Sequence, residues 1–326
     1  MNILVTGGAG FIGSNFVHYM LENYPEDRII NLDLLTYAGN IQNLEDVLNH
    51  PNHVFIQGNI NNEELVRFLI QEHDIKHIIN FAAESHVDRS IRNPKIFIET
   101  NVLGTTNLLN IAKDVQIKKF VQVSTDEIYG SLGETGYFTE ETPLDPNSPY
   151  SASKAAGDLI ALSYFETFGL DVSITSCSNN YGPYQFPEKL IPLMVTNAME
   201  GKPLPIYGDG LNIRDWLHVE DHCQAIDLVL RKGRAGEVYN IGGHNERTNN
   251  EIVHLIVDNL EVSPELITYV EDRLGHDRRY AIDPTKIETE LGWKPKYTFD
   301  TGIAETIEWF KANENWWKPL KKHSQL

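Results

Sequence analysis

The chain has 326 residues, 41% of them hydrophobic, enough apolar material for one large core or two joined ones. Asp and Glu number 46 against 27 Lys and Arg, and the resulting net charge of −19 repels a phosphate backbone, which argues against a nucleic-acid binder. Two cysteines, Cys177 and Cys223, cannot make a disulfide framework, no spacing suggests a metal site, and no window approaches the roughly 18 apolar residues of a membrane span, so a cytoplasmic protein is expected.

The opening MNILVTGGAG has a short apolar run without a basic flank and reads as a strand start. Strands are then expected at Asn2–Thr6, Arg28–Asp33, His53–Gln57, His77–Phe81, Lys119–Ser124 and Asp171–Ser176, and helices at Gly10–Tyr24, Asn62–Glu72, Asn93–Val115 and Ser148–Phe168. Short β-rich runs alternating with helical stretches predict an α/β fold, a doubly wound (Rossmann) parallel sheet with ligands beyond the carboxyl ends of its strands. After about residue 177 Pro and Gly punctuate shorter segments, which predicts a smaller, discontinuous C-terminal lobe over 178–326. The chain is expected to rejoin the first unit, 1–177, at about 214–241. The tail after Trp316 is the stretch expected to fray.

The first strand runs into glycines 7, 10 and 13 and then a helix. A tight turn wants the first glycine, close approach of a pyrophosphate the second, and helix packing the third, with free N–H groups at the helix start. Asp33 ends the next strand, where a carboxylate accepts ribose hydroxyls and repels a 2′-phosphate, favouring NAD over NADP.

Tyr150 and Lys154 are four residues apart at a helix start, on one face about a turn apart. A phenol is a weak base near neutrality, and a neighbouring ammonium, assisted by a cationic nicotinamide, would lower its pKa. Alone the pair is better read as a plain surface contact; beside a dinucleotide motif it reads as a redox base. The run Ser124-Thr125-Asp126-Glu127-Ile128-Tyr129-Gly130 puts two adjacent carboxyls at the same sheet edge. Both can serve one substrate only if the extended geometry ends near Thr125, which Gly130 and the following loop allow. A first-turn helix acid is the other reading of the pair.

The segments GGAGFIGSN, LTYAGN, AAESHVDRSI, STDEIYG, YSASK, SNNYGP, FPEKLIP, PIYGDG, IRDWLHVEDH and GHDRRYAID cover nearly the whole chain. Together they resemble the nucleotide-sugar 4,6-dehydratases of the extended short-chain dehydrogenase/reductase family, and within it the enzymes of deoxysugar biosynthesis that act on dTDP-glucose. The resemblance implies a lyase with NAD as cofactor, dTDP-glucose as substrate and dTDP-4-keto-6-deoxyglucose plus water as products. It implies catalytic roles for Thr125, Asp126, Glu127, Tyr150 and Lys154. For NAD it implies Gly7, Gly10, Phe11, Ile12, Gly13, Asp33, Thr36, Asn59, Ile60, Ala82, Ala83, Ser85, Thr100, Tyr150, Lys154 and Asn180. For the nucleotide sugar it implies Ser85, Asn179, Lys189, Leu190, Pro205, Ile206, Tyr207, Arg214, Asn249, Arg273 and His276.

Two departures stand out. Asn59 occupies a position where the family usually has Asp, and Leu274 one where Pro is usual. The family precedent also implies a homodimer through a helix bundle, with Asn93–Val115 and Ser148–Phe168 as the candidate helices. A 4-epimerase or a UDP-glucuronate decarboxylase would share the glycine turn and the Tyr-Lys pair but has no need of Asp126-Glu127. A silent NAD-binding protein would leave Tyr150, Lys154, Asp126 and Glu127 together as coincidence.

Overall fold

The computed structural model describes residues 1–272 and 277–324. Arg273, Leu274 and His276, three positions singled out by the sequence, lie outside the described residues.

The first half runs β1 (Asn2–Thr6), α1 (Phe11–Asn23), β2 (Arg28–Asp33), β3 (His53–Gln57), α2 (Glu63–Glu72), β4 (His77–Asn80), α3 (Val87–Arg92) and α4 (Pro94–Phe97). A π-helical segment, Ile98–Gly104, follows, then α5 (Thr105–Asp114), β5 (Lys119–Thr125), α6 (Pro149–Phe168) and β6 (Val172–Cys177). The second half runs β7 (Asn179–Tyr181), α7 (Leu190–Met199), β8 (Leu204–Tyr207), β9 (Ile213–His218), α8 (Val219–Lys232), β10 (Val238–Ile241), β11 (Glu246–Thr248), α9 (Asn249–Leu260), β12 (Ile267–Val270), α10 (Thr285–Leu291), α11 (Phe299–Ala312) and α12 (Glu314–Ser324).

Local signals explain the boundaries. The Asn62 side chain accepts from Leu65 N at 3.0 Å and starts α2, with Glu63 and Glu64 in its positive first turn. Ser148 and Ser151 cap α6 reciprocally, with Pro149 as its first residue. Gly169, at φ +68°, closes that helix in the left-handed conformation a side chain resists.

A seven-stranded sheet of parallel pairs carries the order β10-β6-β5-β4-β1-β2-β3. The chain winds outward one way from β1 and the other way from β4, so the switch point lies between them and the ligand crevice beyond their carboxyl ends. One face is covered by α1 and α8, whose Phe16, Val17, Met20, Ile226 and Val229 pack on the sheet. The other is covered by α2, α5 and α6 through Val66, Leu69, Leu108, Ile111 and Ala161. Strand β10 pairs with β6, so the chain re-enters this sheet at Val238–Ile241, whereas β9 (Ile213–His218) lies in a separate sheet. The rest of the second half packs around Tyr181, Ile191, Trp216, Ile252, Phe299, Phe310 and Trp317. It carries a three-stranded sheet, β11-β9-β7, and the parallel pair β12-β8.

Three expectations need correction. The helix expected over Asn93–Val115 is interrupted by π geometry, and the altered register lets the buried Asn101 amide donate to Glu84 O at 3.0 Å and to Ser153 Oγ at 2.8 Å. Strand β5 runs one residue further than expected, through Thr125, whereas β4 stops at Asn80. As far as Ser324 the tail does not fray: α12 continues past Trp316, with Trp317 fully buried and Lys321 paired to Glu200 at 2.6 Å, because long-range packing overrides its polar composition.

Candidate active site

Beyond the carboxyl ends of β1 and β4 lies a cavity of about 340 Å³. Its first wall is the glycine turn. Gly7 has φ +70°, and a Cβ there would lie 2.6 Å from Ala82 N, so only glycine allows β1 and β4 to approach at the switch point. A Cβ on Gly13 would lie 2.2 Å from Gly7 O, so α1 can tuck against the turn only without a side chain. No side chain caps α1 at Gly10 and no acid stands in its first turn, leaving the positive helix end to an anion. This cradle fits a dinucleotide pyrophosphate. Asp33 completes it: Oδ2 accepts from Ala9 N at 2.9 Å and Oδ1 from Leu35 N at 2.7 Å, fixing the carboxylate while each oxygen keeps a lone pair for a ribose hydroxyl.

The second wall is the end of β5 and the start of α6. Thr125 is extended at φ −144°, and the next four residues, Asp126–Tyr129, turn into a 3-10 helix ending at Gly130 with φ +86°. The extended geometry therefore stops where it must, and Asp126 and Glu127 both line the cavity with Thr125, Tyr150 and Lys154. The Thr125 hydroxyl accepts from Glu127 N at 3.3 Å and donates to Asp126 Oδ1 at 3.4 Å, holding the turn.

Burial dominates the electrostatics. Asp126 is held well above the usual carboxylate range by burial, then by the Glu127 and Asp215 carboxylates, with Arg214 and Thr125 opposing, and its Oδ2 has no hydrogen-bond partner among the described residues. The net direction favours the protonated acid. Tyr150 differs from expectation. Burial first, and the Glu127 carboxylate second, push its phenol well above the ordinary value, while Thr125 pulls it down. Lys154 is itself lowered by burial and donates to Val123 O at 2.7 Å. Beneath it, Asp158 is pushed up to about 7 by burial, against the pull of Lys154 and of Ser124, whose hydroxyl donates to it.

Each residue singled out for the cofactor lines this cavity: Gly7, Gly10, Phe11, Ile12, Gly13, Asp33, Thr36, Asn59, Ile60, Ala82, Ala83, Ser85, Thr100, Tyr150, Lys154 and Asn180. Of the sugar-nucleotide candidates Ser85, Asn179 and Lys189 line it too. Leu190, Pro205, Ile206, Tyr207, Arg214 and Asn249 stand outside its lining, on the β8, β9, α7 and α9 elements of the second half. Arg214 stacks 4.3 Å from the Tyr280 ring centroid and donates to Asp277 O at 2.9 Å. Arg278 is paired with Asp209 at 2.8 Å, and Arg279 with Glu246 at 2.9 Å. Sequence reasoning passed over Asn101, Glu84, Cys177, Asp158 and Trp316. The spacing of Asp158, one turn beyond Lys154, was a usable signal; the others are brought in by long-range packing.

The family model described as GDP-mannose 4,6 dehydratase matches residues 4–306. The chain belongs to this family. Among curated relatives, the dTDP-glucose 4,6-dehydratase of Streptomyces antibioticus is 54% identical over 327 residues, covering 99% of this chain and 96% of the relative. Among solved structures, the dTDP-glucose 4,6-dehydratase of Bacillus anthracis in complex with NAD is 61% identical with a TM-score of 0.93, covering 98% of this chain and 99% of that one. The enzyme of the same description from Streptomyces venezuelae, with NAD bound, is 52% identical with a TM-score of 0.95 over 98% and 100% of the two chains. Both of these solved relatives are complexes with NAD.

Proposed function

We propose that this protein converts dTDP-glucose to dTDP-4-keto-6-deoxyglucose and water, using NAD, in deoxysugar biosynthesis. The observation that carries the reading is the placement of Asp126 and Glu127 together in the cavity that Tyr150 and the glycine turn also line. Hydride exchange at C4 alone needs the Tyr-Lys pair; loss of the C6 hydroxyl needs an acid and a base besides.

NAD, when bound, supplies the acceptor for the C4 hydride and the donor for C6. Tyr150, entering the step as phenolate, takes the O4 proton and becomes the phenol; Thr125 and the neighbouring positive charge of Lys154 favour the phenolate before the transfer. The resulting 4-ketone acidifies C5–H, and Glu127 takes that proton. Asp126, whose pKa burial and two carboxylates raise, gives its proton to the C6 hydroxyl, which leaves as water. After the hydride arrives at C6, Glu127 returns its proton to C5. The proton gained by Tyr150 equals the one lost by Asp126, so one transfer between them resets the site.

Arg214, Asn249 and the β8 residues Pro205, Ile206 and Tyr207 belong, in this reading, to the nucleotide end of the substrate, reached from Asn179 and Lys189. The sheet unit, residues 1–177 with 214–241, holds NAD, and most of 178–326 holds the sugar nucleotide. A homodimer through α4 to α6 is supported by Ile98, Leu103 and Leu159, which are 47, 56 and 57% exposed on those helices. No described helix is long and apolar enough to cross a membrane, and a cytoplasmic site of action suits the nucleotide substrate.

The test is incubation with NAD and either dTDP-glucose or UDP-glucose, followed by mass spectrometry and NMR of the sugar. Loss of one water with a new C6 methyl from dTDP-glucose alone is expected. Unchanged mass with inverted C4 would make the protein an epimerase, and no conversion of either sugar would overturn the reading.

A further inference from the structure

The cavity wall closes on a residue from the far end of the chain. The Trp316 indole N–H donates to Asn43 Oδ1 at 2.8 Å across 273 residues of sequence, and both side chains line the cavity. Asn43 hands the contact on to the glycine turn: its amide donates to Ala9 O at 2.9 Å, and its own carbonyl meets His18 Nε2 at 2.8 Å. Both partners are buried, Asn43 at 2% and Trp316 at 8% exposure, so the bond is desolvated.

On its other side Trp316 is gripped by rings. Trp309 stands edge-on at 5.1 Å between centroids, Tyr184 at 5.9 Å and Phe310 at 6.3 Å. Tyr184 lines the cavity, stacks on His18 and holds φ +64°, a conformation costly for an aromatic residue and kept only where its surroundings impose it. The same loop is tied to the first turn of α1, because Asn15 Nδ2 donates to both Phe11 O and Pro183 O at 2.9 Å. The C-terminal helix and the loop after β7 thus brace the glycine turn from the second half of the molecule.

We propose that Trp316 is a cofactor-retention residue and that α12 is a clasp keeping the dinucleotide in its cleft through a whole turnover. The inference rests on the NAD-dependent reading above. In that chemistry the hydride removed from C4 returns to C6 of the same sugar, so a reduced cofactor that escaped between the two steps would strand an oxidised sugar. A clasp made at the pyrophosphate turn, away from Tyr150 and the acid pair, slows escape without touching the reacting atoms.

The experiment is release of prebound NADH, chased with excess NAD and followed by stopped-flow fluorescence, in the full chain. Trp316→Phe keeps a ring and removes the N–H; release is expected to accelerate by about five- to tenfold, the loss of one buried hydrogen bond. Trp309→Phe is the control for packing alone, and should leave release unchanged even where it lowers Tm. Release from Trp316→Phe within about twofold of the parent, or equal acceleration by Trp309→Phe, would overturn the clasp. Should Trp316→Phe fold poorly, Asn43→Ser removes the same bond from the other side, together with the bond to Ala9 O, and must accelerate release at least as much. A parent chain that binds NADH yet converts no sugar nucleotide would sink the dehydratase reading and leave this test standing; one that binds no NADH overturns both.

Discussion

The two ends of the cavity are built on opposite principles. At the glycine turn, function comes from side chains that are missing: Gly7 and Gly13 stand where a Cβ would strike backbone, and the ligand-facing groups are main-chain N–H donors. At the β5–α6 end it comes from ionisable side chains that are present and buried, Asp126, Tyr150, Lys154 and Asp158, each shifted chiefly by loss of solvent. The first end is a local property of a dozen residues. The second is a property of the whole fold, because burial is supplied by everything packed around it. Substitutions at the two ends should therefore fail differently, one by losing the cofactor and the other by losing a proton-transfer step.

The largest effect is expected at the acid pair. Asp126→Asn with Glu127→Gln should leave hydride transfer from C4 measurable as reduced nicotinamide in a single turnover while water loss falls by at least about 10³-fold, the sum of a general acid and a general base removed together. Elimination at the parent rate would take both residues out of the mechanism. At the other end, Gly7→Ala forces a side chain into φ +70° and toward Ala82 N, so a loss of roughly 3 kcal/mol in stability and of measurable NADH binding is expected. Urea unfolding and NADH titration check this; a variant as stable and as tightly binding as the parent would mean that the switch point is looser than its geometry.

How far each end could be read in the sequence follows the same division. The glycine spacing, Asp33 and the parallel strands were legible because each depends on neighbours within a few residues, and fully buried strands announce themselves as apolar runs. The acid pair was legible in position, down to the need for a turn after Thr125. Its electrostatics were only half so. Asp126 was required as the protonated acid, and burial shifts it in that direction; Lys154, assisted by a bound nicotinamide, was expected to pull the Tyr150 phenol down, whereas within the chain itself burial and Glu127 raise it. The π segment that turns Asn101 inward has no compositional signature, since a shift in hydrogen-bond register leaves the helical pattern of apolar residues nearly unchanged. Trp316 reaches the cavity only through packing between distant segments, which no local window records. The sugar-nucleotide candidates are scattered from Ser85 to Asn249 and beyond for the same reason.

Asp158 sharpens the comparison through pH. Its folded-state value of about 7 lies above that of an exposed carboxyl, so ionising it costs the folded chain stability progressively as pH rises from the ordinary carboxylate range to about 7, and fully above. Asp158→Asn stays neutral throughout and can still accept from Ser124. Its stability relative to the parent should therefore improve by about 2 to 3 kcal/mol between about pH 5 and pH 8, read from urea unfolding at both. Equal displacement at the two pH values would mean that Asp158 is charged and paired with Lys154 in the fold, and that its value is set by that pair instead of by burial.

The smallest effect belongs to Asn59, where the family usually has Asp. Asn59 Oδ1 accepts from Asn61 N at 2.9 Å, closing the turn after β3, and a carboxylate oxygen accepts equally well. The side chain lines the cavity beside Ile60, so Asn59→Asp exchanges only the amide nitrogen for an oxygen at the ligand. If the side chain serves the cofactor as an acceptor, the exchange keeps every bond that matters, and NADH affinity should change by less than about threefold, below the worth of one hydrogen bond. A tenfold or larger weakening in the same titration would mean that the amide nitrogen donates to the dinucleotide. The glycine-turn end would then rely on a side-chain donor after all, and the division between a backbone-built end and a side-chain-built end would have to be redrawn at this residue.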